Sequence, residues 1–124
     1  MIKGIGTDIV EVKRIQTKFE RSAHFKTHVF SEDEIQYCDR QPNPAMHFAA
    51  RWAAKEAYLK AFGVRFIGNH VLSEIETKHE ENGKPYIALS GKELESFHSK
   101  LFKTIHLSIS HTEQYATAYI IIED

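Results

Sequence analysis

Apolar positions along the chain repeat with two periods. Ile105, Leu107 and Ile109 alternate with His106, Ser108 and Ser110, the period of two expected of a strand with one apolar and one polar face. A turn over His111-Thr112-Glu113-Gln114 returns the chain into Tyr115 to Glu123, where Ile120-Ile121-Ile122 predicts a strand buried on both sides. Residues 2 to 8 read as a short strand in which Gly4 and Gly6 leave room for another backbone or a ligand. Leu72 to Glu80 and Pro85 to Leu89 predict two more strands, joined through the two-residue turn signal Asn82-Gly83. Helical spacing fills most of the rest. Ile9, Val12, Ile15 and Phe19 form a stripe over residues 9 to 21, opened by Asp8 and Glu11 at capping-box spacing. Ser31 and Glu34 repeat that signal before a short helix ending near Arg40, and Ser90 and Glu93 repeat it before one ending near Phe102.

The strongest helix runs from Pro44 to Phe62, with Asn43 as N-cap, Pro44 in the first turn, seven alanines inside and Gly63 at the end. Phe48 with Trp52 and Tyr58 with Phe62 stand at i, i+4, and the alanines let neighbours pack near the axis. Residues 63 to 71 read as a loop. Strands joined by hairpins, with helices segregated between them, predict an α+β domain whose mostly antiparallel sheet packs with this long central helix. The chain shows neither an internal repeat nor a linker, so residues 1–124 are read as one domain.

At 124 residues and 42% hydrophobic, the chain can bury roughly two-thirds of its unfolded surface and form a core without cross-links. Cys38 is its only cysteine, which excludes an intrachain disulfide or Cys/His zinc site and favours a reducing, cytoplasmic compartment. No apolar stretch approaches the roughly 18 residues needed to span a bilayer, and the start lacks a signal-peptide h-region. A net charge of -1 argues against a general nucleic-acid binder.

That neutral total conceals a basic end. Residues 1 to 26 hold six Lys/Arg against three Asp/Glu, and the remaining residues ten against fourteen. On a helix over 9–21, Arg14, Lys18 and Arg21 fall at i, i+4, i+7. Such a ridge is either a solvated surface or a docking strip for an acidic partner. Asp8 and Glu56 are the carboxylates of interest. Asp8 serves equally as a helix cap, and Glu56 with Lys60 as an i, i+4 surface pair. Alternatively the carboxylates hold a hard cation while Lys60 meets a bound phosphate, an arrangement that suits Mg2+. Ser108 to Thr112 offers hydroxyls, an imidazole and turn amides to a phosphorylated ligand, or else a hydrogen-bonded turn. No nucleophile elbow, Walker loop or dinucleotide fingerprint is present.

Gly6-Thr7-Asp8, followed after 43 residues by Trp52-Ala53-Ala54-Lys55-Glu56-Ala57-Tyr58-Leu59-Lys60, resembles the two signatures of the 4′-phosphopantetheinyl transferases. The opening Ile5 to Ile15, the approach Phe48-Ala49-Ala50-Arg51, the turn Asn82-Gly83-Lys84-Pro85 and the segment Ser108 to Thr112 resemble the single-domain holo-acyl-carrier-protein synthases over nearly the whole chain. The resemblance implies the 4′-phosphopantetheinyl transferase fold. It also implies transfer of the phosphopantetheine arm from coenzyme A to a serine of an acyl carrier protein, releasing adenosine 3′,5′-bisphosphate, in fatty acid biosynthesis. Asp8 and Glu56 would hold Mg2+ against the coenzyme A pyrophosphate, with Lys60 sharing the charge neutralisation. Glu56, a water on the metal or a partner carboxylate would take the serine proton. Arg51, Asn82, Gly83, Lys84, Pro85, Ser110, His111 and Thr112 are the implied coenzyme A contacts. The ridge Arg14, Lys18 and Arg21 becomes the implied dock for the acidic carrier. Family members often carry a further arginine near position 24, where this chain has His24. Ala53 in place of the hydroxyl residue after the signature aromatic matches the small synthases. The resemblance further implies assembly as a homotrimer with active sites at subunit boundaries. A noncatalytic binding module and a metal-dependent phosphohydrolase are the competing readings.

Overall fold

The computed structural model describes residues 1–64 and 68–124. Residues 65–67, part of the loop expected over 63–71, lie outside the described residues. The elements are β1 (Ile2–Glu11), α1 (Val12–Arg21), α2 (Ala23–Val29), α3 (Glu32–Asp39) and α4 (Pro44–Phe62). A 3-10 turn at Leu72–Glu74 leads into β2 (Ile75–His79), β3 (Pro85–Leu89), α5 (Gly91–Ser99), β4 (Thr104–His111) and β5 (Tyr115–Glu123). The α+β class and the antiparallel pairing agree with the sequence pattern. The strands form two separate sheets: a three-stranded one in the order β1-β5-β4 and the hairpin β2-β3.

Helix α4 has the predicted bounds, and Gly63 closes it at φ 101°, a left-handed conformation. It lies against one face of the larger sheet. A Cβ on Gly4 would sit 1.8 Å from the carbonyl oxygen of Ala61, and one on Gly6 would sit 1.9 Å from that of Ala57. The missing side chains therefore let helix backbone touch strand backbone. Val10, Ala116, Ala118, Ile120 and Ile122 complete the buried sheet face. Around the first half of α4, Phe48 packs on Phe19 and Phe30 at centroid distances of 4.9 and 5.0 Å, and Trp52 on Phe25 at 5.1 Å. These rings clamp α1 and α2 to the central helix. Phe48 and Trp52 each find a partner on another element, whereas Tyr58 and Phe62 do pair, at 6.0 Å.

Several sequence expectations are corrected. β1 continues to Glu11, so α1 begins at Val12 and the Asp8/Glu11 capping box does not form. Pairing with β5 as far as Glu11↔Tyr115 keeps this stretch extended. Ile9, assigned to the helical stripe, is instead 64% exposed on the outer face of the strand. Helix α2 was not anticipated. The Ser31/Glu34 capping box forms in full, but Ser90 caps nothing through its side chain. Glu93 is instead buried on His70 and the Val71 amide. The Glu93 amide donates to the Glu74 carboxylate, which occupies the space where a Gly91 Cβ would stand. Leu72–Glu74 is 3-10 rather than strand, and the hairpin loop spans 80–84, closed by Glu80 N–H donating to the Lys84 carbonyl. β5 is buried on its inner face only, because Tyr115 and Tyr119 on the other face remain exposed.

Candidate active site

The close approach of α4 to β1 positions the carboxylates. Gly4, Gly6, Asp8 and Val10 share the inner strand face, and the strand runs against the helix so that Gly4 meets Ala61 and Gly6 meets Ala57. The next inner position, Asp8, lies beside the turn of α4 that carries Glu56 and Lys60. Lys60 Nζ donates to the Thr7 carbonyl at 3.0 Å and to Asp8 Oδ1 at 3.1 Å. The ammonium thus bridges to the strand instead of forming the i, i+4 pair with Glu56. Glu56 is half-buried. Its pKa is raised above the ordinary value by burial and by the Asp8 carboxylate, with Lys60 and Arg14 pulling in the opposite direction.

Lys60 is committed to Asp8, and the Asp8 carboxylate still acts unfavourably on ionised Glu56. Among the described residues no group of three or more His, Cys, Asp or Glu gathers as a metal-binding cluster. A pair of carboxylates suits Mg2+, which keeps several coordination positions for water and substrate phosphate.

Arg14, Lys18 and Arg21 line one groove of about 300 Å³ together with Thr17, Ser22 and Phe25. Lys18 Nζ lies 5.3 Å from the Phe25 ring centroid and 6.0 Å from that of Trp52. Because Arg14 also acts on Glu56, this ridge adjoins the carboxylates. His24 is exposed in the first turn of α2 and does not line the groove.

Arg51 is 3% exposed. Its guanidinium sits 4.3 Å over the Tyr37 ring, Nη1 reaches the His47 carbonyl at 3.5 Å, and among the described residues buried Nε has no partner. It forms one wall of a cavity of about 300 Å³ with Tyr37, Arg40, Thr77, Lys78 and His79. His111 points inward from β4, its ring 5.4 Å from that of His47. The pKa of His47 is lowered by burial, then by the fields of His111, Arg51 and His79.

The other expected coenzyme A residues do not join these within the chain. Ser110 pairs opposite Thr117 on the outer sheet face, as the period of two requires. Thr112 Oγ1 is occupied by the Gln114 and Tyr115 amides. Asn82 accepts from the Lys84 amide within the hairpin loop, where Gly83 has φ 88°. Lys84 and Pro85 line a different groove, with Ile105, His106 and Leu107.

The family model of the 4′-phosphopantetheinyl transferase superfamily matches residues 4–120. The chain belongs to this superfamily. This phosphopantetheinyl transferase is 41% identical over 125 residues to a holo-[acyl-carrier-protein] synthase of Koribacter versatilis, covering 100% of both chains. The synthase structure from Neisseria meningitidis superposes with a TM-score of 0.92 at 30% identity, covering 100% of both chains. That of Bacillus anthracis, in complex with CoA (3′,5′-ADP), superposes with a TM-score of 0.80 at 31% identity, covering 98% and 96%. The sequence did not reveal Thr77 or the inner pairing of Lys55 with Glu34, whose capping role alone was legible. The signal available for Lys55 was its place among alanines on the most tightly packed helix. Its partners lie on elements distant in sequence.

Proposed function

We infer that the chain transfers the 4′-phosphopantetheine group from coenzyme A to a serine of an acyl carrier protein, releasing adenosine 3′,5′-bisphosphate. The observation that carries this reading is the meeting of Asp8, Glu56 and Lys60 beside a basic groove. Family membership and relatives named as holo-[acyl-carrier-protein] synthases support it. Asp8 and Glu56 would hold Mg2+, which supplies charge neutralisation at the pyrophosphate when bound. Lys60 places a further positive charge where the leaving bisphosphate gains negative charge. The proton of the attacking serine would pass to Glu56, to a water on the metal or to a carboxylate of the carrier.

Arg14, Lys18 and Arg21 orient the acidic carrier, with Phe25 offering an apolar floor to the same groove. The cavity that Arg51 lines with Arg40, Lys78 and His79 is suited to a phosphate at the nucleotide end of coenzyme A, and His111 stands near it beside His47. Assembly as a homotrimer accounts for the outer sheet face. Ile5, Ile9, Tyr115 and Tyr119 are all exposed there, between 47% and 66%, a patch of the kind that marks an interface. Contacts from Asn82, Gly83, Lys84, Pro85, Ser110 and Thr112 would then reach coenzyme A across a subunit boundary.

The test is mass spectrometry of an apo acyl carrier protein incubated with coenzyme A, Mg2+ and this protein. One added phosphopantetheine on a single serine is expected. Free phosphopantetheine with an unmodified carrier would instead identify a phosphohydrolase. An unmodified carrier, with a thermal midpoint unmoved by coenzyme A, would leave only a binding module.

A further inference from the structure

Lys55 is completely buried, yet each of its three ammonium donors is used. Nζ lies 2.7 Å from Glu34 Oε1, 2.9 Å from the Leu72 carbonyl and 2.6 Å from the Ile75 carbonyl. Glu34, 2% exposed, has its acceptors filled as well: Oε1 also takes the Ser31 amide at 3.1 Å and Oε2 the Thr77 amide at 3.1 Å. The pair therefore ties α4 to the N-terminus of α3 and to the start of β2. These three elements are also the walls of the Arg51 cavity, with Tyr37 and Arg40 from α3, Arg51 from α4, and Thr77, Lys78 and His79 from β2. The match extends to individual turns. Arg51 stands one helical turn before Lys55 and Tyr37 one turn after Glu34, so each charged partner shares a helix face with a cavity residue. Thr77 does both jobs, its amide bound to Glu34 while its side chain lines the cavity; among the described residues its buried hydroxyl oxygen, like Arg51 Nε, has no partner.

Burying an ion pair yields little or no stability over apolar side chains of similar volume, whereas its directional bonds hold one spacing against others. We propose that Lys55 and Glu34 are positioning residues: their pair sets the distance between α3, α4 and β2 at which Arg51, Arg40 and Lys78 line the cavity that takes a phosphate of coenzyme A. The inference rests on the reading that the Arg51 cavity takes that end of the substrate, and it concerns affinity for the nucleotide, not the chemical step.

The test compares coenzyme A with 3′-dephospho-coenzyme A as donors, each measured by KM and kcat. Wild-type protein is expected to favour coenzyme A by about tenfold in KM, on the order of one charged hydrogen bond. The double variant Lys55→Met/Glu34→Gln removes both charges at nearly constant volume. It is expected to fold with a lowered thermal midpoint, because the Leu72 and Ile75 carbonyls lose their donor, and to keep its KM for the carrier while the donor preference falls toward one, with kcat changed by less than about threefold. Glu34→Gln alone, the smaller change, is read by the same ratio. A folded variant that keeps the wild-type donor preference overturns the positioning role. If wild-type protein itself does not distinguish the two donors, the Arg51 reading fails and the inference falls with it. Loss of preference in Arg51→Ala but not in the pair variants overturns the positioning role alone.

Discussion

Burial and the Asp8 carboxylate raise the pKa of Glu56 above its ordinary value by more than Lys60 and Arg14 lower it. A carboxyl that binds its proton more tightly in the folded state contributes stability below its unfolded pKa. That contribution is lost as pH rises through the folded value. At neutral pH the ionised Glu56 is thus a net cost to the metal-free protein. Glu56→Gln should abolish arm transfer, by at least about 10²-fold, yet raise the thermal midpoint of metal-free protein by about 1–3 °C, a small figure because the group is half-exposed. Thermal melts with and without Mg2+ check the assignment, since added metal should stabilise the wild type and leave the variant unmoved. A lowered midpoint in Glu56→Gln would contradict the field described here. Cys38 is the opposite kind of residue. It is completely buried, and its thiol is pushed up to about 12, chiefly by burial. Alkylating reagents at neutral pH should therefore label it only after unfolding, as intact-mass measurement would show.

At the scale of elements, the decisive contact is backbone against backbone. Gly6→Ala would force a methyl into the Ala57 carbonyl and push α4 from β1. The expected cost is about 1–3 kcal/mol or more, readable by denaturant titration, with a loss of transfer because Asp8 and Glu56 are separated. The sequence marked Gly4 and Gly6 as places of close approach, but it did not show that α4 is what approaches. Helix α1 shows a different division. Arg14, Lys18 and Arg21 were placed on one ridge from spacing alone, and they line one groove. The helix start was misplaced by three residues because ladder pairing with β5 overrides a local capping signal at Asp8 and Glu11. Arg14→Glu and Arg21→Glu should each raise the KM for carrier about tenfold or more, with stability changed by less than about 0.5 kcal/mol. Steady-state kinetics across a salt series measures this, because the wild-type advantage should shrink as salt screens it.

The whole molecule leaves an apolar patch uncovered on the outer sheet face. Ile5 and Ile9 on β1 stand with Tyr115 and Tyr119 on β5, while the other face of these strands packs on α4. If copies assemble through this face, as proposed, replacing Ile9 with Asp together with Tyr119 with Glu should yield monomers in analytical ultracentrifugation. Arm transfer should be lost with it if neighbouring copies complete the coenzyme A site. An unchanged sedimentation coefficient would remove that face from the assembly. Among the described residues no helix is long and apolar enough to cross a membrane.

Local order carries far along this chain. The alanine-rich α4 with its proline start and glycine end, the Ser31/Glu34 cap and the alternation in β4 each follow from interactions within a few residues, so their own sequences specify them. Identity too was legible, since Asp8 and the Trp52 to Lys60 segment stand at the spacing of a known family. Only tertiary structure decided what the side chains face. Lys60 bonds to Asp8 across 52 positions of sequence, and Lys55 bonds to Glu34 across 21. Glu93 left its expected cap for a histidine 23 residues away. Such charges settle wherever folding brings a compensating partner out of water, and no local pattern encodes a partner that arrives from another element.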